Sequence, residues 1–146
     1  MCSTHKRTYF QFLFTVSVAC TAPWITYGDS CYTLITTAET WYNADAICKN
    51  NDAMLVKIDS AEENDFIERE YLTGSVVYWI GLSDSENEGT WKWIDRTELT
   101  GFKNWKSGQP DDFANQDCGT IRHDWFFDAE WDDDWCSLSK GFICEK

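Results

Sequence analysis

Cysteine placement constrains this chain more than any other feature of its sequence. There are seven cysteines, an odd number, and Cys2 stands ahead of a short apolar run. Lys6 and Arg7 precede that run, which covers residues 10–18 and is broken by Gln11, Thr15 and Ser17; Ser17 and Ala19 then supply small side chains. Basic, apolar and small residues in that order predict a secretory signal cleaved after Ala19. The run is too short to span a bilayer, and no other stretch is apolar enough to do so. Residues 1–19 are therefore expected to form a signal peptide, and residues 20–146 one secreted, extracellular domain with a single moderate core. Cys20, Cys31, Cys48, Cys118, Cys136 and Cys144 remain. Six cysteines in a short secreted chain predict three bridges, with about fifteen connectivities open. No C-x-x-C or close thiol–imidazole pair occurs, and His123 is the one histidine beyond the leader, so no zinc site is expected.

Charge narrows the partners. Losing Lys6 and Arg7 with the leader takes the net charge from −13 to −15. Nucleic acid and anionic membranes, which need a basic footprint, are excluded; cations, neutral ligands and basic proteins are not. Much of the acid is concentrated in residues 108–136, where Asp111, Asp112, Asp117, Asp124, Asp128, Glu130, Asp132, Asp133 and Asp134 face a single arginine, Arg122. Carboxylates at that density repel one another unless water or a cation lies between them. Gln109, Asn115 and Gln116 add amide oxygens, completing an oxygen-only donor set of the kind Ca²⁺ takes. A charge run is ordinarily a solvated loop. This one is interleaved with Trp, Phe, Pro and Cys, which a solvated loop does not need.

Periodicity places the elements. Residues 31–35 predict a short strand, and Trp41, Ala44, Ile47 and Cys48 fall at helical spacing within residues 40–50. Residues 54–58 alternate as a strand. Ser60-Ala61-Glu62-Glu63 is a capping box opening a second helix that runs to about Tyr71 and presents Phe66, Ile67 and Tyr71 to the core. Residues 76–82 read as a buried strand and residues 90–94 as an alternating one, with an acidic turn holding Asp84, Glu86 and Glu88 between them. A last strand covers residues 141–144. Two helices followed by short strands and long loops predict a small α+β domain.

These residues resemble the C-type lectin-like family. Trp79-Ile80-Gly81-Leu82 matches its WIGL core strand, and Glu88-Gly89-Thr90-Trp91-Lys92-Trp93, Asn104-Trp105, Gln109-Pro110-Asp111 and Trp131-Asp132-Asp133 follow in the family order. The resemblance implies a fold of two helices, two small antiparallel sheets and a long Ca-binding loop region. It implies the bridges Cys48–Cys144 and Cys118–Cys136, with Cys20–Cys31 resembling the amino-terminal hairpin bridge of the long form.

It also implies a calcium-dependent carbohydrate-binding lectin. One Ca²⁺ in this family bridges the protein and two neighbouring sugar hydroxyls, each of which donates to a carboxylate and accepts from an amide. The implied sugar-site ligands are Gln109, Asp111, Gln116, Asp132 and Asp133, with a cis Pro110 aiming Gln109 and Asp111 at one ion. The order Gln-Pro-Asp resembles galactose-type members, and Phe113 stands where those often place a ring against the apolar face of galactose. Trp125 and Trp135 are alternative stackers, but are expected chiefly in the core. Asp84, Glu88, Asp112 and Asp117 match a second, structural Ca²⁺ site.

Two positions depart from the family pattern: Gln116 where Glu is usual and Asp132 where Asn is usual. The set Gln109, Asp111, Gln116, Asp132 and Asp133 keeps the usual charge of −3, so cation binding is still expected. The two swaps exchange donor and acceptor at one hydroxyl, which puts the galactose preference in doubt. The loop before Cys118 is also one residue shorter than usual, which makes Asn115 or Asp117 alternative ligands. Rival functions are a protein-recognition domain of venom or immune type that has lost sugar binding, a lectin of mannose or other preference, and an acidic mineral- or ice-binding protein. No enzyme is expected, because no nucleophile elbow or differentiated acid–base pair can be found. A homo-oligomer would supply avidity for a weakly held monosaccharide, though no heptad or collagen-like repeat encodes one.

Overall fold

Thr40 opens the first helix, α1 (Trp41–Asn50), from an extended conformation, its side chain accepting from the Asn43 N–H at 3.3 Å. That bond satisfies one of the free amides of a helix start. Trp41, Ala44 and Cys48 form the buried stripe, as their spacing predicts, with Ile47 at its margin. The second helix, α2 (Ala61–Tyr71), starts at Ser60, whose hydroxyl accepts from the Glu63 N–H at 3.2 Å. Glu63 returns the cap one residue earlier than a capping box would, accepting from the Asp59 N–H at 2.8 Å. Its other oxygen accepts from the Tyr32 hydroxyl at 2.7 Å, so this acid is buried but fully engaged. Phe66, Ile67 and Tyr71 face the core as expected. The computed structural model describes residues 19–146, with Phe127 by its backbone only. The expected signal peptide lies outside them except for Ala19.

Eight strands are described: β1 (Ile25–Tyr27), β2 (Ser30–Glu39), β3 (Met54–Leu55), β4 (Val76–Ser83), β5 (Lys92–Trp93), β6 (Cys118–Asp124), β7 (Phe127–Asp134) and β8 (Lys140–Glu145). They form one sheet in the order β1-β2-β8-β4-β6-β7, with β3 on β8 and β5 on β4. The α+β architecture is the expected one, but the two small antiparallel sheets are not separate. A parallel pairing of β8 with β4, Tyr78 opposite Gly141 and Trp79 opposite Phe142, joins them into one mixed sheet. Strand β8 can do this because both its edges are used: β2 lies along one, while β3 and β4 share the other. Gly81 is required at this junction. Its N–H donates to the Val56 carbonyl at 2.8 Å, and a Cβ there would stand 2.6 Å from the Leu55 carbonyl oxygen.

Three tryptophans in the core keep their indole N–H groups bonded. Trp41 donates to the Ile80 carbonyl, Trp79 to the Glu39 carbonyl, and Trp131 to Asn64 Oδ1, at 2.8, 2.8 and 2.9 Å. Trp93, Phe102 and Trp105 meet Trp131 edge-on, with ring centroids 5.5, 5.6 and 5.9 Å away. Such contacts add to the burial energy of large rings. Trp131 is thereby the post around which the segment 94–106 is wound. Lys106 N–H donates to the Trp131 carbonyl, and Trp131 N–H to the Asn104 carbonyl, at 2.8 and 2.7 Å. The bridges are Cys20–Cys31, Cys48–Cys144 and Cys118–Cys136, the pairing that the family resemblance implies. Among the described residues no helix is long and apolar enough to cross a membrane.

Candidate functional site

Past Lys106 the chain leaves its Trp131 support and turns through left-handed backbone at Asp112, Ala114 and Asn115, with φ of 49°, 53° and 66°. Aspartate and asparagine tolerate this region better than most residues. The Gln109–Pro110 peptide is cis. Asp133, at the edge of β7, holds the turn: its carboxylate accepts from Asp111 N–H at 3.3 Å and from Asp112 N–H at 2.8 Å. Burial pushes the Asp133 carboxyl up, and the backbone N–H bonds pull it back down. Asp111 in turn accepts from Phe113 N–H at 3.0 Å. Gln109 Oε1 is buried without a hydrogen-bond partner. The structure thus joins Asp111 and Asp133 through the backbone and leaves Gln109 with an unused acceptor beside them in sequence.

The two departures from the family pattern are engaged elsewhere. Gln116 donates to Asp134 Oδ1 at 3.3 Å, and Asp134 also pairs with Lys140 at 2.8 Å. Asp132 pairs with Arg122 at 2.8 Å across the β6–β7 ladder. Sequence reasoning counted Asp134 only among the carboxylates of this stretch, treated Arg122 only as their lone counter-charge, and did not name Lys140. Once Thr120 is set opposite Asp132, Arg122 lies diagonally across from it on the same face. That signal needs the register, which sequence alone did not supply.

The second set converges more tightly. Carboxylate oxygens of Asp84, Glu88 and Asp117 lie within 4.8 Å of one another. Asp84 is 2% exposed, its N–H donates to the Asp117 carbonyl at 3.1 Å, and its Oδ2 accepts from Gly89 N–H at 2.9 Å. Burial pushes its carboxyl up to about 7; the Gly89 bond opposes this, and Glu88 and Asp117 add to it. Asp117 is raised by burial, then by Glu88 and Asp112, while Asn115 donates to its Oδ2 at 3.0 Å. Asp84 Oδ1 and Asp117 Oδ1 are buried with no partner. Unpaired carboxylate oxygens gathered this closely could hold a cation, and an all-oxygen donor set suits Ca²⁺. Asp112 lies outside this close trio, reaching Asp117 through the field alone.

Phe113 is 66% exposed and meets Trp135 at an angle with centroids 6.3 Å apart. Trp135 donates from Nε1 to the Ala114 carbonyl at 2.9 Å, tying the ring to the loop. Trp125, 89% exposed at the tip of the β6–β7 hairpin, and the partly exposed Trp135 are both outside the core expected for them. Trp125 lies in the turn between β6 and β7, and Trp135 directly before the turn that follows β7.

Residues 37–146 match the family model of the lectin C-type domain. The chain belongs to the C-type lectin domain family. Human C-type lectin domain family 10 member A is 40% identical over 138 residues, covering 90% of this chain and 41% of the human protein. A perlucin-like protein of Mytilus galloprovincialis is 35% identical over 136 residues, 89% of this chain and 85% of its own length. The chain thus spans less than half the human relative and most of the mussel one. Among solved structures, the mouse scavenger receptor C-type lectin carbohydrate-recognition domain superposes with a TM-score of 0.81 at 34% identity, over 88% of this chain and 98% of that one. A calcium-independent type II antifreeze protein superposes at 0.78 with 33% identity, over 88% and 94%. The C-type lectin domain is a carbohydrate-binding module rather than an enzyme. The family generally binds Ca²⁺, and this domain's acidic groups are arranged so that they could hold a metal.

Proposed function

We propose that this C-type lectin domain is a secreted, calcium-dependent lectin that recognises galactose or N-acetylgalactosamine at the loop 109–117. The observation that carries the reading is the Gln109–Asp111–Asp133 arrangement: a cis Pro110, an unpartnered buried amide oxygen on Gln109, and two aspartates locked together through backbone N–H bonds. Those oxygens are the ones that would hold Ca²⁺, with Gln116 and Asp132 completing the set. Bound there, the ion would supply a positive coordination point for two vicinal sugar hydroxyls. The chain's own part is to orient: Asp111 and Asp133 accept from the hydroxyls, and the Gln109 amide donates to one. Phe113, exposed and braced by Trp135, offers its ring to the C–H face of galactose. Asp84, Glu88, Asp112 and Asp117 serve a second ion that stiffens the same loop. The domain is read as residues 20–146 behind a leader at 1–19.

The Asp132–Arg122 and Gln116–Asp134 contacts favour a second reading, in which these two side chains stay in the protein network and sugar specificity shifts or gives way to protein recognition. Affinity chromatography separates the two. Retention on galactose-agarose with Ca²⁺ and release by EDTA support the first. Retention on mannose-agarose alone overturns the specificity, and no retention on any sugar supports the second.

A further inference from the structure

We propose that Glu68, His123 and Asp128 form a separate site for a divalent transition-metal ion, Zn²⁺ in preference to Ca²⁺, near the tip of the β6–β7 hairpin. One ligand atom from each of the three residues lies within 4.8 Å of the other two. The His123 Nε2 to Glu68 Oε1 separation is 3.8 Å, a few tenths of an ångström beyond the roughly 3.4 Å between two tetrahedral ligands bound at about 2.1 Å, so a small side-chain rotation brings both onto one ion. His123 Nδ1 lies 2.8 Å from the Gly74 carbonyl, an acceptor, so Nδ1 carries the hydrogen and Nε2 presents a lone pair. A backbone carbonyl on the far ring nitrogen is how metal-binding histidines are usually oriented.

The fold assembles the trio from three elements. Between the pairs Arg122–Glu130 and Asp124–Phe127, β6 supplies one residue, His123, and β7 supplies two, Asp128 and Ala129. This is a β-bulge, a device that re-aims a side chain. Ala129 takes up the extra residue in left-handed backbone at φ 49°, fully buried. Its carbonyl is fixed by Asn64 and Asn104 side chains at 3.2 and 2.9 Å. Asn64 lies on α2 four residues before Glu68, so Glu68 shares the helix face turned to the hairpin. An imidazole with two carboxylates neutralises a divalent ion and leaves room for a water. Imidazole suits zinc-like ions, whereas calcium takes oxygen alone. The cysteine and histidine spacing predicted no zinc, because such spacing reveals only donors close in sequence. These three are brought together by the bulge and the helix.

The test titrates the protein with ZnCl₂ by calorimetry in excess Ca²⁺, so that the long-loop sites are occupied, and with Co²⁺ by visible absorption. The expected result is one Zn²⁺ per chain with affinity lowered about a hundredfold in His123→Asn and at least tenfold in Asp128→Asn, and loss of the Co²⁺ bands in both. Both variants should unfold at wild-type temperature without metal, which excludes misfolding as the cause. Zinc binding that is absent from the wild type, or unchanged in both variants, overturns the proposal and leaves Glu68 and His123 as a surface ion pair.

Discussion

Asp111, in the loop, and Asp133, on β7, serve one site but differ in what their loss removes. Asp111→Ala takes away one exposed acceptor for Phe113 N–H. It should keep wild-type thermal stability while losing retention on galactose-agarose; a retained variant would place the sugar elsewhere. Asp133→Ala leaves the Asp111 and Asp112 N–H groups without their acceptor in a part-buried turn. It should lose retention and also about 1–3 kcal/mol of stability, measured by urea unfolding. Glu63 tests buried charge away from the site. Its folded carboxyl is raised above the ordinary 4.5, chiefly by burial, against the hydrogen bonds from Asp59 N–H and Tyr32. Between 4.5 and its folded value the native state therefore binds more protons than the unfolded one, so this group's contribution to stability declines as pH rises. The stability difference between wild type and Glu63→Gln should shrink from pH 4 to pH 7, and a difference that grows would refute the reading.

Helix α2 is the element on which both the core and the proposed metal site lean, and Ser60 supplies the side-chain cap at its start. Ser60→Ala removes the acceptor of Glu63 N–H and should cost about 1 kcal/mol, read as a lower unfolding midpoint at unchanged slope. Helix α1 was legible because its apolar positions recur at helical spacing, and α2 because Ser60 opens a capping box ahead of Phe66, Ile67 and Tyr71. Strand β4 was legible from its continuous apolar run. Strands β6 and β7 were not. Their outward positions are the charged residues Arg122, Asp128 and Asp132, which read as loop, and only the register shows that those charges stand on a ladder. Strand β5 contracted from the expected 90–94 to Lys92–Trp93 because Trp93 and the following turn are held by Thr97 and Arg96 backbone bonds. The candidate site was legible by residue type, through Gln109, Asp111 and Asp133, but not by partner. That Asp132 would turn to Arg122 and Gln116 to Asp134 depends on contacts across strands.

At the scale of the molecule, the Cys48–Cys144 bridge ties α1 to the central strand over a separation of 96 residues. Closing so long a loop restricts the unfolded chain more than either other bridge does. The Cys48→Ala/Cys144→Ala pair should lose about 4–5 kcal/mol, and Cys20→Ala/Cys31→Ala, with a separation of 11, distinctly less, both by denaturant titration. A reversed order would mean that native packing, not chain restriction, sets the effect. Strand β8 has a further consequence, for biosynthesis. It lies between β2 on one side and β3 and β4 on the other, and it is the last of the sheet's strands to leave the ribosome. Until residues 140–145 emerge, the strands awaiting it have open edges, Cys48 has no mate, and Cys118 and Cys136 are already within its reach as wrong ones. Assembly of the sheet must therefore wait for those residues, and during that interval its vulnerability is to mispaired thiols and to chaperone supply rather than to the strength of the finished core.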